Sequence, residues 1–178
     1  VLLNLRPKHH EFASPVVRTA LLGAIDRTRL VEEVFAGTAA PVTGPIAPSS
    51  PWFDPAADPA VAYDREASRK AFLAAGWTRK DDGWHLPKAA KPLALEVLSP
   101  DRKSNPQAWA AAQQVVSDWH RMGFEVTHVG LPVAKFVERL TKGDFQAAVA
   151  DVTVGLDPDL YPLLASSQTV TGGSNVAG

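Results

Sequence analysis

An α/β fold is what this sequence predicts, and three observations carry the prediction. Three short apolar runs, residues 92–98 (PLALEVL), 124–129 (FEVTHV) and 145–149 (FQAAV), read as buried strands. Two helical patterns lie between them. One opens at Asn105-Pro106 and closes at Gly123; the other opens at Leu131-Pro132 and closes at Gly143. The connections are short, so the order is strand, helix, strand, helix, strand, and such crossovers give parallel strands with helices packed on the sheet. With 178 residues, 46% hydrophobic and 21% charged, there is chain enough for one compact domain with a core.

The elements before this unit follow from local signals. Residues 1–5 (VLLNL) predict a strand interrupted by Asn4, and residues 6–13 a polar loop. Ser14-Pro15 is a helix start, with serine as cap and proline at the first helical position. Val17, Ala20, Leu21, Ala24 and Ile25 then form one apolar stripe at helical spacing. Asp26 restarts a second helix, whose inward face is Leu30, Val31, Val34 and Phe35 and which Gly37 ends. Residues 38–63 hold six of the fifteen prolines, a density that forbids regular helix and denies a sheet its donors. Trp52 and Phe53 are expected to pin this loop to the surface. Asp64 caps a helix over 65–75 with Ala67, Ala71, Phe72 and Ala75 inward, closed by Gly76. Asp82-Gly83 signals a hairpin turn between Trp77 and Trp84, which are expected to pack as a pair. On the helix that opens at Asn105, Trp109, Ala112, Val116 and Trp119 share the buried face. On the next, the apolar residues are Val133, Phe136, Val137 and Leu140.

Composition removes several function classes. The chain has no cysteine, so disulfides, zinc ribbons, thiol nucleophiles and redox motifs are excluded. A net charge of -1 argues against a nucleic-acid footprint or a polybasic membrane patch. No apolar run approaches the ~20 residues that cross a bilayer, and no signal peptide is visible. The chain starts at Val1 and stops at Gly178 within a Gly/Ser-rich run, which predicts a piece of something longer. Neither the dinucleotide and phosphate loops GxGxxG and GxxxxGK[ST] nor the hydrolase motifs HExxH and GxSxG occur, and no cofactor is predicted.

The candidate chemistry lies after the third apolar run. There the chain emerges at Asp151 and passes to Asp157-Pro158-Asp159, an acidic residue before proline that predicts a helix start. Loops at the ends of buried strands are where α/β sheets hold ligands. Asp144, Asp157 and Asp159 suit turn and cap chemistry. Asp151 caps nothing, and both a ligand-facing and a purely structural role stay open for it. His9-His10 reads as a solvated loop pair, and His120 and His128 as structural. Of the five tryptophans, only Trp52 sits in an irregular loop, where it can serve a binding surface.

Several segments, in register, resemble one family. Val17-Arg18-Thr19-Ala20-Leu21 running into Ala24-Ile25-Asp26-Arg27 resembles the VRxAL…AIDR signature of family 5 extracellular solute-binding proteins, the oligopeptide and dipeptide receptors of ABC importers. Asn4 resembles the strand before that signature, and Gly44-Pro45-Ile46 with Pro51-Trp52-Phe53 resembles the family's Pro-rich loop. Tyr63-Asp64 through Ala74-Ala75-Gly76-Trp77 resembles YDxxxA…AGW, and Gly143-Asp144-Phe145 with Asp157-Pro158-Asp159-Leu160-Tyr161 resembles GDFD…DPDxY. The resemblance covers about 170 residues.

It implies a single lobe, residues 1–178, of a periplasmic-binding-protein-like (type II) receptor whose second lobe is absent from this chain. It further implies a non-enzyme, capturing a peptide or related small solute between two lobes for import. Its partners would be that solute and the permease subunits, with no nucleic acid. Its location would be periplasmic or cell-surface, with a lipid anchor in the full-length protein. The implied ligand-binding residues are Asp151, Val152, Thr153, Asp157, Trp52 and Asn4. Peptide-binding members carry a tryptophan and then an aspartate shortly before the DPD motif, and that aspartate pairs with the ligand's amino terminus. Here residues 150–156 have no tryptophan and one residue fewer, and Asp151 is the carboxylate available. Two other function classes remain open on the residues alone: a hydrolase or transferase using Asp151 and Asp157 as acid and base, and a non-catalytic interaction module.

Overall fold

The computed structural model describes residues 1–56, 60–153, 159–170 and 173–178. Its centre is the strand–helix alternation. Strand β4 (Ala94–Pro100) pairs in parallel with β5 (Glu125–Leu131) on one side and with β6 (Ala147–Ala148) on the other. Strand β1 (Leu2–Leu3) lies antiparallel on the far side of β6, giving the order β1-β6-β4-β5.

Helix α4 (Pro106–Arg121) leads from β4 outward to β5, and α5 (Val133–Lys142) leads back past β4 to β6. The two crossovers run in opposite directions across the sheet. A common right-handed sense therefore puts α4 and α5 on opposite faces. Side chains alternate along β4 accordingly. Leu95 and Val97 join a large core with Val115 and Trp119 of α4, and Leu98 joins a smaller core with Phe136 and Leu140 of α5.

The elements before β4 build a third layer over α4. They are α1 (Pro15–Gly23), α2 (Arg27–Phe35), α3 (Arg65–Ala74) and a hairpin of β2 (Thr78–Lys80) and β3 (Gly83–His85). All five residues of the expected α1 stripe, Val17, Ala20, Leu21, Ala24 and Ile25, are buried. Asp26, Asp64 and Asn105 each cap the helix expected of them, accepting from the N–H of Arg29, Ala67 and Ala108 at 2.9–3.0 Å. Ser14 stands at its cap position, but its hydroxyl makes no cap bond.

Several expectations are corrected by packing. The segment 6–13 is not a polar surface loop. It forms a 3-10 turn, His10–Phe12, that buries Phe12 and Glu11, and His9 bonds the Glu11 carboxylate at 3.1 Å, so His9 is largely buried rather than solvated. Trp77 and Trp84 are both buried, but Phe72 and Phe124 stand between them, with ring centroids 5.3–6.1 Å apart. The hairpin's two-residue loop is Asp81-Asp82, because Gly83 already pairs with Lys80 in the ladder. Trp109 is half-buried, lying against His128 with Arg102 above its ring, and Ala108 takes its place inward. On α3 the buried residues are Ser68 and Phe72, with Ala67 exposed. Val133 and Val137 face outward on α5, and α2 has no fully buried residue. Helix α2 ends one residue early, with Ala36 left-handed at φ 49° before Gly37 at φ 72°.

Trp52 does not pin the Pro-rich loop, being 67% exposed; Phe53 is half-buried. The described parts of the loop are held by Arg27, whose guanidinium donates to the carbonyls of Val42 (2.9 Å) and Val61 (2.6 Å). The C-terminal run also packs. Leu5 donates to the Ala177 carbonyl at 2.6 Å, and Val176 lies against the α5-side core.

Candidate functional site

The parallel strands β4, β5 and β6 end on one side of the sheet, and the chain leaves each of them for a helix or loop. Asp101 follows β4 and donates its N–H to the Leu131 carbonyl at 2.7 Å, which joins the ends of β4 and β5. Its carboxylate accepts from the Ser104 N–H at 2.7 Å, and the hydrogen bonds from Ser104 hold its pKa below the ordinary carboxylate value. Asn105 then starts α4. Its Oδ1 caps the helix, and its Nδ2 donates to Asp151 Oδ2 at 2.6 Å. Val149 extends the β6 pairing by donating to the Leu98 carbonyl at 2.8 Å, so the exit to Asp151 is set by the sheet.

Asp151 is therefore an exposed carboxylate with a fixed position, beside the N-terminus of a 16-residue helix. The positive end of the helix dipole favours a negative group there. Val152 and Thr153 continue along the same exposed rim. Asp157 lies outside the described residues, as does the Asp157-Pro158 helix start. Asp159 accepts from the Tyr161 N–H at 3.0 Å, and the helix there, α6 (Tyr161–Leu164), begins only after it.

Asn4 has a different environment. It is fully buried, and Nδ2 donates to the carbonyls of Gly143 (3.0 Å) and Phe145 (2.7 Å) while Oδ1 accepts from the Arg6 N–H. Both amide hydrogens are used, so Asn4 ties β1 to the turn that leads into β6. The structure brings Asp151, Val152 and Thr153 together at one rim and places Asn4 beneath the sheet's edge strand. Trp52 stays exposed on its loop.

Sequence reasoning missed Asn105, whose cap signal was legible but whose second bond was not. It read His128 as structural but missed the hydrogen bonds that hold it half-buried. His128 Nε2 lies 2.8 Å from Ser99 Oγ, and its Nδ1 bonds the Gln113 amide at 2.5 Å. Ser99 donates its own proton to the Pro100 carbonyl at 2.7 Å, so the imidazole must donate to Ser99 through Nε2 and accept from Gln113 through Nδ1. Burial lowers the His128 pKa, in keeping with a neutral ring. In this arrangement the histidine donates to the serine rather than taking its proton, the reverse of what a nucleophile requires. His120 bonds the Phe124 carbonyl at 3.1 Å, a structural contact like the one expected.

Parallel strands β4, β5 and β6 with helices on both faces, and exposed loops at the strand ends, form the arrangement in which α/β domains commonly hold ligands. Residues 1–175 match bacterial extracellular solute-binding proteins, family 5 middle region, and the chain belongs to that family. It is 28% identical over 172 residues to heme-binding protein A of Haemophilus influenzae, covering 93% of this chain and 28% of that protein. Among solved structures it resembles the oligopeptide-binding protein AppA of Bacillus subtilis in complex with a nonapeptide. The TM-score is 0.86 and the identity 24%, covering 99% of this chain and 34% of AppA. NikZ of Campylobacter jejuni in complex with Ni(L-His) has the same fold, with a TM-score of 0.84 and 20% identity over 99% of this chain and 34% of that one. The chain thus spans about a third of the length of these relatives.

Proposed function

We propose that this chain is one wall of the solute cleft in a receptor that delivers its ligand to an ABC importer outside the cytoplasm. On this reading the second wall belongs to the rest of the protein, the permease subunits are its partners, and a lipid anchor holds the whole protein at the membrane. It acts as a binder and not a catalyst. Family membership supports the receptor role, and the ordered carboxylate of Asp151 carries the choice of ligand. A carboxylate held by Asn105 at an open rim suits a cationic group, such as the amino terminus of a peptide. The relatives' ligands differ widely, from a nonapeptide to a nickel–histidine complex, so the fold alone does not select a solute. Val152, Thr153 and Trp52 would supply apolar and polar contacts to the solute, and Asp157, outside the described residues, is a further proposed contact.

The test is peptide binding by the full-length receptor, measured calorimetrically beside native mass spectrometry of any co-purified solute. Asp151→Asn is expected to weaken binding by ~1.5–3 kcal/mol, the worth of a charge-assisted hydrogen bond, with little change in stability. Asn105→Ser keeps a helix-capping oxygen but removes the amide that donates to Asp151, and it should weaken binding in the same direction. Unchanged affinity in both variants removes Asp151 from the site.

A second expectation concerns the lobe alone. With only one wall, about half of the contact in a micromolar complex, itself worth ~8 kcal/mol, is absent, which leaves millimolar binding or weaker. Residues 1–178 titrated with a mixed peptide library should therefore give no measurable heat while circular dichroism reports a folded α/β protein. Micromolar binding by this chain alone contradicts the two-wall reading.

A further inference from the structure

At the other end of α4, three elements turn cationic side chains toward one groove. Helix α3 contributes Arg65 and Arg69, one turn apart, the hairpin contributes Arg79 and Lys80, and the last turn of α4 contributes Arg121. The groove encloses about 580 Å³ and is also lined by Glu66 and Asp81. Five cations stand against two carboxylates, and with Arg121 paired to the buried Asp118 the excess is two, in a chain whose net charge is -1.

The floor of the groove is built from Trp84, Met122 and Gly123. Trp84 donates Nε1–H to the Met122 carbonyl at 2.8 Å and stacks on Phe124 at 5.8 Å. The Arg79 guanidinium lies directly against Gly123, where a Cβ would come within 2.5 Å of its Nε. Residue 123 has φ 89° and no side chain, and this lets the guanidinium settle into the floor. Arg121 is drawn partly away by the buried carboxylate of Asp118 at 3.0 Å. Arg65 and Arg69 are exposed and make no ion pair among the described residues.

We propose that this groove is a second binding site, for a phosphate-bearing anion. Guanidinium forks match phosphate oxygens in pairs, and Arg65 and Arg69 of α3 offer two such forks. Arg79, which also donates to the Lys80 carbonyl, adds positive charge from the other two elements together with Lys80 and Arg121. The groove lies at the opposite end of α4 from Asp151, a helix length of roughly 24 Å, so an occupant there leaves the solute rim clear. The proposal does not depend on what the rim binds. One chemistry has two sources, the headgroup of an anionic lipid or a free phosphate compound.

The test uses the full-length protein and its Arg65→Gln/Arg69→Gln double variant, whose folding is checked by an unchanged melting temperature. Co-sedimentation is measured with vesicles of phosphatidylcholine alone and with one part in four of phosphatidylglycerol, and calorimetry with pyrophosphate. Binding to the anionic vesicles only, weakened about thirtyfold in the double variant, identifies the lipid source; the estimate takes roughly fivefold per arginine near an anionic surface. Pyrophosphate binding that the double variant loses, without vesicle binding, identifies the free-phosphate source. Absence of both, or binding that the double variant retains, overturns the site. Equal binding of polyglutamate, abolished by the same substitutions, overturns the phosphate assignment in favour of an acidic protein partner.

Discussion

Replacing Trp119 with alanine is expected to cost ~3–5 kcal/mol of stability, the usual range for deleting a large aromatic side chain from a core. Trp119 is 1% exposed, and its Nε1 donates to the Leu21 carbonyl at 3.1 Å. The indole thus fills the space between α4 and α1 and also satisfies a helix carbonyl that water cannot reach. Trp119→Phe separates the two contributions. It keeps most of the buried area and loses the hydrogen bond, so about 1–3 kcal/mol is expected from the carbonyl left unpaired. For a chain of this size, 1 kcal/mol moves the melting temperature by ~2–4 °C, so the alanine variant should melt roughly 6–20 °C below the parent. A shift of only a degree or two would mean that the α1–α4 interface does not carry the core.

The second large effect is expected at Asp118. Its carboxylate is fully buried and accepts from the Arg29 guanidinium at 2.5 Å, the Arg121 guanidinium at 3.0 Å and the Asp26 N–H at 3.0 Å. It joins α4 to the bend between α1 and α2. Asp118→Ala strands the Asp26 N–H and leaves two guanidinium groups without their shared anion. Breaking a buried pair can cost 3–5 kcal/mol. Arg29 is 25% exposed and Arg121 44%, so both can turn toward water, and screening lowers the expected loss to about 3 kcal/mol. Denaturant unfolding checks this, together with Asp118→Asn, which keeps one acceptor and should lose less. Equal stability of the alanine variant and the parent would mean that the bend at Asp26 is held by α1 and α2 themselves.

The local punctuation of the fold was legible because its causes are local. Asp26, Asp64 and Asn105 each accept from an N–H three residues on, and that spacing is written in the sequence. Gly143 ends α5 with φ 65°, where a side chain would also strike Arg6. The alternation of strand and helix, with the rule of right-handed crossovers, was enough to place α4 and α5 on a parallel sheet. The resemblance to a receptor family rested on the same kind of short, ordered motif. It pointed to Asp151, Val152 and Thr153 as candidate ligand contacts but not to the Asn105 amide that holds Asp151 in place.

By itself, then, the sequence determined the α/β class, the caps that open α2, α3 and α4, and which runs contain the strands. Only the tertiary structure decided the rest, because the decisive partners are far apart in the chain. Asn4 spends its amide on carbonyls 139 and 141 residues away, Asp118 receives the Asp26 N–H across 92 residues, and Asn105 reaches Asp151 across 46. Periodicity marks an apolar stripe, yet which of its members meets a neighbour depends on that neighbour's approach. Hence Trp109 stayed half-buried and Ser68 went inward on α3, facing Gly23, where a Cβ would lie 2.9 Å from the serine hydroxyl. Hydrogen bonds within one turn are encoded by spacing; contacts between layers exist only once the layers have packed.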